Sequence, residues 1–134
     1  MFTIHGEVAI RLDKNIILVA LKGPFNEGGV SNWTEKLRGE IDKFLGKPFF
    51  ILMNNVDYEG FTPEASIISN NFNLWLNEQQ MVVKAIVQPS SLARKMNLRN
   101  IPALSSQRIE YFDTQTEAKS WIKKHPEYLN FEES

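Results

Sequence analysis

The spacing of apolar and polar positions changes several times along the chain, and each change marks an element. From Thr3 to Leu12 the alternation is loose, but Ile4, Val8, Ile10 and Leu12 mark a strand. Asp13-Lys14-Asn15 is a turn cluster, and Ile16 to Leu21 follows as a nearly unbroken apolar strand. So short a connection joins antiparallel neighbours, which predicts an opening hairpin. Gly23-Pro24-Phe25-Asn26-Glu27-Gly28-Gly29 then interrupts regular structure. A first helix is predicted from about Asn32 to Leu45, with Asn32 and Glu35 as a reciprocal cap. Its inner face comprises Val30, Trp33, Leu37, Ile41, Phe44 and Leu45, and Gly46 and Pro48 stop it.

Phe49 to Met53 is an apolar run of strand length, as expected of a strand covered on both faces. A polar loop, Asn54 to Thr62, separates it from a second helix spanning about Pro63 to Gln80. Thr62 is the hydroxyl cap, Pro63 takes the first helical position and Glu64 sits beside the positive helix end. Ala65, Ile68, Phe72, Trp75 and Leu76 point inward. The opposite face, Ser66, Ser69, Asn70, Asn73, Asn77 and Glu78, is polar and almost uncharged. Met81 to Val87 supplies a strand, Ser90 to Met96 a short helix or turn, Leu98 to Ser106 a loop, and Arg108 to Phe112 a last strand. Thr114-Gln115-Thr116-Glu117 is a capping box opening a final helix that buries Ala118, Trp121 and Ile122 and ends before Pro126. From Ile16 onward strands and helices alternate, which implies a mainly parallel sheet with right-handed crossovers.

At 134 residues the chain fits one domain, taken as 1–127, with 128–134 as a tail whose Leu129 and Phe131 are placed to dock on the body. Fifteen basic residues balance sixteen acidic ones, so no global field favours nucleic acid or an anionic membrane. With no cysteine there are no disulfides, thiolate metal sites or thiol nucleophiles. The charges at Glu7, Arg11, Asp13 and Lys14 leave no signal-peptide core, and no apolar run approaches the ~20 residues of a membrane helix. A cytoplasmic protein without a membrane span is expected.

The order of a hairpin, a Gly23-Pro24-Phe25 turn, the Trp33–Ile41 helix, the strand FFILMNNV with its polar loop, and the closing helix EAKSWI after EYFDT resembles the STAS superfamily. More narrowly, it resembles the bacterial SpoIIAA-like proteins, named after an anti-sigma-factor antagonist. The resemblance covers essentially the whole chain. It implies an α/β single domain with a mixed, mostly parallel sheet, an N-terminal antiparallel hairpin and about four helices. It also implies regulation through a protein partner, because in the antagonists the loop after the central strand carries a serine that a kinase phosphorylates. That Asp-Ser-Ser/Gly pattern is absent here. Thr62 is the nearest hydroxyl, with Ser66 one turn on, while Asp57, Glu59 and Glu64 would repel a phosphate.

Familiar catalytic sets are missing. The two histidines, His5 and His125, lie away from the expected binding edge, and no G-x-S-x-G elbow occurs. Asp57, Glu59 and Glu64 lack the alternation of a calcium loop, and Asn26 to Gly29 matches no phosphate-binding motif. No enzyme, cofactor or metal is therefore expected. Lys84, Arg94, Lys95, Arg99 and Arg108 are taken as solvated charges. The favoured function is a non-catalytic regulatory interaction module. Its surface would comprise Asn54, Asn55, Asp57, Tyr58, Thr62, Ser66, Ser69 and Asn70, the polar helix face also serving a homodimer. The alternative is a small-ligand or lipid carrier or sensor, with Phe25, Phe61, Ile101 and Leu104 lining an apolar pocket.

Overall fold

The computed structural model describes residues 3–132; residues 1–2, and residues 133–134 of the expected tail, lie outside the described residues. Strands β1 (Glu7–Asp13), β2 (Ile16–Phe25), β3 (Phe49–Phe61), β4 (Met81–Val87) and β5 (Ile109–Phe112) form one sheet in the order β1-β2-β3-β4-β5. β1 pairs antiparallel with β2 and all other pairings are parallel. Helices α1 (Glu27–Asp42) and α2 (Pro63–Leu76) join β2 to β3 and β3 to β4. Helix α3 (Ser91–Asn100) and a 3-10 turn (Pro102–Ser106) join β4 to β5, and α4 (Gln115–Lys123) and the one-turn α5 (Pro126–Leu129) close the chain.

Strand order never reverses, so right-handed crossovers drop α1, α2 and the α3 segment on one face of the sheet. α4, which crosses over to no further strand, packs on the other, with Tyr128 of α5 beside it. Two cores result. On the first face Ile17, Val19, Leu21, Ile51, Met53 and Ile86 meet Val30, Trp33, Leu37, Phe72 and Leu76. On the second, Ile16, Phe50, Leu52, Val83, Ala85 and Val87 meet Ala118 and Ile122 of α4. β3 serves both, which explains its unbroken apolar run: Phe49 to Met53 are all buried. Truncating a fully buried Phe50 to alanine would cost about 3–5 kcal/mol.

Several boundaries differ from those expected. β1 begins at Glu7, not Thr3. β2 continues through Gly23-Pro24-Phe25 instead of breaking there. Register shifts around Leu21 and Pro24, and the positive φ of Gly23, absorb the irregularity. Pro24 is tolerated because β1 pairs β2 only as far as Lys22, leaving no second ladder to need its N–H. α1 starts five residues early: Asn26, not Asn32, is the cap, its Oδ1 accepting from Gly29 N at 2.8 Å and His5 N at 3.0 Å. Gly28-Gly29 is thus the first turn of a helix. A Cβ on Gly29 would meet His5 O at 1.9 Å, so here glycine marks a close backbone approach and not a flexible turn. Leu45, expected inside, is 85% exposed in the turn after the helix.

The expected loop from Asn54 to Phe61 is strand. β3 runs thirteen residues because it pairs with the extended β2, matching Lys22 to Asp57, Gly23 to Tyr58 and Phe25 to Phe61. Tyr58 and Phe61 then pack in series on Phe25, at ring separations of 5.8 and 6.2 Å. α2 stops at Leu76, short of Gln80, and the segment from Leu98 to Ser106, expected as loop, is the end of α3 followed by the 3-10 turn. At the other end of the sheet, buried Asn15 donates to Pro48 O and Glu127 O at 3.0 Å each, and Phe131 meets Phe44 edge-on at 6.0 Å.

Candidate functional site

The parallel strands β2 to β5 bring their C-terminal ends to one edge, where α1 and α2 begin. The expected site residues all lie in elements that reach it, but they divide between the two faces of the sheet. Asn54 faces α4: its Nδ2 donates to Gln115 Oε1 at 2.9 Å and its Oδ1 accepts from Val56 N at 3.1 Å. Asn55 points to the opposite face, is 7% exposed and has no hydrogen-bond partner for Oδ1. Tyr58 shares that face, half-buried, and burial pushes its phenol pKa well above the usual value. Asp57 is exposed in register with Lys22.

Thr62 caps α2 as expected, its Oγ1 accepting from Ala65 N at 3.2 Å, and Ser66 Oγ donates to Pro63 O at 2.6 Å. The middle of the polar face of α2 is not available as an open surface. Ser69 and Asn73 are buried, Asn70 Oδ1 accepts from Ala103 N at 2.9 Å, and Asn77 Nδ2 donates to Ala103 O at 3.1 Å. These amides seam α2 to the 3-10 turn, whose backbone groups would otherwise be unpaired. The low desolvation cost that suggested an interface therefore serves an internal one.

Lys84 is the main surprise. Expected in solvent, it is 6% exposed, because it stands in mid-β4 on the face covered by α2. Its Nζ donates to Asn73 Oδ1 at 2.7 Å, and the same oxygen accepts from Gln107 Nε2 at 3.0 Å. Burial lowers the ammonium pKa from an ordinary 10.5 to about 7. Beside it lies a cavity of about 50 Å³ lined by, among others, Asn55, Tyr58, Ser69, Asn97, Ile101 and Leu104. No carboxylate lines this cavity among the described residues. The available signal was a lysine inside the apolar run VVKAIV of a strand that the βαβ order makes interior. On the neighbouring strand, Tyr111 has an unpaired hydroxyl and burial raises its pKa, an effect opposed by Arg94, whose guanidinium lies 4.9 Å from the ring centre.

Ile101 and Leu104 reach this cavity, whereas Phe25 and Phe61 do not line it. The larger recesses are open surface grooves. One of about 590 Å³ lies between the hairpin and α4, with Arg11, Asp13, Lys14 and Lys119 on its walls. Deep crevices in α/β sheets open where strand order reverses, and here it does not. His5 sits close to the C-terminal edge after all, tied through its backbone to Asn26, while His125 caps α5 at the opposite end through Nδ1. Asp57, Glu59 and Glu64 form no metal-binding cluster among the described residues. No described helix is long and apolar enough to cross a membrane.

No protein-family model and no curated protein matches the sequence. Solved structures do match its fold. An uncharacterized DUF3478-family protein with a SpoIIAA-like fold from Shewanella loihica PV-4 superposes with a TM-score of 0.67 at 13% identity, over 91% of this chain and 98% of that one. The anti-sigma factor antagonist SpoIIAA in its unphosphorylated form gives 0.61 at 12% identity, over 90% and 100%. An anti-sigma factor antagonist from Mycobacterium paratuberculosis gives 0.60 at 8% identity, over 90% and 96%. The chain has the SpoIIAA-like fold.

Proposed function

We propose that this chain, on its SpoIIAA-like fold, is a non-catalytic cytoplasmic regulator that binds a partner protein through the outer end of β3 and the outward face of α2. The observation that carries the reading is the exposed stripe Glu64, Ile67, Asn71 and Leu74, at helical spacing, in which Ile67 is 64% and Leu74 52% exposed. Single exposed apolar residues are ordinary, but two large ones on one helix face suit a partner's apolar surface. This stripe replaces the polar face, which the 3-10 turn covers.

Thr62, exposed at the head of the same helix, is the proposed phospho-acceptor. A phosphate there would lie at the positive helix end and set a dianion near Ile67, opposing a partner that desolvates this surface. Ser66 is less suited, since its hydroxyl already donates to Pro63 O. The ligand-carrier reading fits less well: about 50 Å³ is far below the roughly 300–1,000 Å³ of drug-sized ligand sites.

Native mass spectrometry of the protein purified from its host tests the proposal. A second polypeptide should accompany the wild type and be lost from Ile67→Glu and Leu74→Glu variants of unchanged circular dichroism. A partner retained by both variants would remove the stripe from consideration. A dimer that dissociates in Ile67→Glu would assign the stripe to a second copy of this chain.

A further inference from the structure

We propose that Lys84 is a covalent ligand site, its amine condensing with the carbonyl group of a small aldehyde in the cavity at the C-terminal edge of β3 and β4. The surroundings of Lys84 do not balance its charge. Lys84 is taken out of water with one neutral amide oxygen as its hydrogen-bond acceptor and no carboxylate on the cavity walls among the described residues. A lysine held only for structure would ordinarily be given a counter-ion or left to reach solvent. Burial without either favours the free base, which carries the lone pair a nucleophile needs.

The polar groups that line the cavity with Lys84 supply no negative charge. α2 contributes Ser69 and Asn73, β3 Asn55 and Tyr58, and α3 Asn97, none of them anionic. Tyr58 and Tyr111 are held in their protonated forms, and the nearby Arg94 on Tyr111 is itself positive. Burial that lowers its pKa to about 7 leaves Lys84 far richer in free base at neutral pH than an exposed lysine.

The cavity sets the size of the ligand. About 50 Å³ corresponds to roughly three or four water-sized groups, enough for an aldehyde of two to four heavy atoms. Tyr58 and Asn97, both partly exposed, are the lining residues nearest to solvent on β3 and α3, and the cavity is not sealed from it. The Lys84 nitrogen attacks the carbonyl carbon, the C=O π pair moves to oxygen, and a proton passes from nitrogen to that oxygen, giving a carbinolamine. Loss of water then leaves the imine, without any change of oxidation state. Asn55 Oδ1, buried on the cavity wall and without a donor, is an acceptor for the carbinolamine hydroxyl.

The test is reductive trapping of the full-length protein at pH 7 with acetaldehyde and sodium cyanoborohydride, followed by peptide mass mapping. Lys84 should be ethylated at least about tenfold faster than exposed Lys36, Lys43 and Lys95, with a rate that rises through a midpoint near pH 7. Labelling of Lys84 no faster than that of the exposed lysines overturns the proposal. A folded Lys84→Arg variant should lose the fast phase. A fast phase that persists in Lys84→Arg would place the reactive amine elsewhere and equally overturn it.

Discussion

Lys84 Nζ donates to Asn73 Oδ1 at 2.7 Å, joining the middle of β4 to the buried face of α2. Each member of this pair makes the other tolerable. Asn73 gives the amine its acceptor, and Lys84 together with Gln107 satisfies an amide oxygen that water does not reach.

Removing the two members should therefore have unequal effects. Asn73→Ala strands the Lys84 and Gln107 donors and is expected to lower unfolding stability by about 2–4 kcal/mol. Lys84→Met removes the charge, fills similar volume and leaves Gln107 on Asn73, so it is expected to be near neutral or stabilising by ~1 kcal/mol. Urea unfolding of both variants checks the order; an equal loss in the two would show that packing, not polar satisfaction, governs the site.

Lys84 also dictates a pH dependence. Its pKa is lower folded (about 7) than unfolded, so between pH 7 and about 10 the unfolded chain binds more protons and stability rises with pH. Below pH 7 both states are protonated, so the slope vanishes and the cost of burying the charged amine is felt in full. Tyr58 and Tyr111, raised by burial, act oppositely above pH 10, where the unfolded chain loses protons that the folded one keeps. Urea midpoints should climb from pH 7 to near 10 and then fall, and Lys84→Met should flatten the climb.

Two helix glycines should respond in opposite directions to alanine. At Gly29 a Cβ meets His5 O at 1.9 Å and the Phe25 ring at 3.0 Å, so the substitution must displace backbone and is expected to cost about 1–3 kcal/mol. At Gly39 nothing lies within 4 Å, and alanine's helix propensity should add about 0.5–1 kcal/mol. Thermal melts of the two variants separate a packing glycine from an idle one.

Thr62→Ala should cost about 1 kcal/mol through loss of the α2 cap, while Thr62→Asp, which can also accept from Ala65 N, should restore most of it. If Thr62 is the regulatory hydroxyl, Thr62→Asp will weaken partner binding without weakening the fold. Thermal melts beside a binding assay separate the two effects.

Much of this was legible in the residues themselves. Phe49 to Met53 can be nothing but an interior strand, Thr62-Pro63-Glu64 starts a helix, and Thr114 with Glu117 starts another, its Oγ1 accepting from Glu117 N at 3.2 Å. These signals act over a few residues, where period, capping and propensity decide. The first hairpin followed likewise, because the length of a turn restricts strand direction.

Tertiary structure decided what depends on residues distant in the chain. Asn54 to Phe61 is polar enough for a loop and became strand only because β2 extends beside it. Gly28-Gly29 read as a break until His5 closed over the helix start. Ser69, Asn70 and Asn73 formed a neutral helix face that a partner or the chain itself could cover, and the 3-10 turn 33 residues beyond Asn70 covers it. The same assembly buried Lys84. Local sequence determines backbone preference and which faces are apolar, whereas burial is a property of what packs opposite. The environment of the lysine, and with it its chemistry, was settled only when α2 came down on β4.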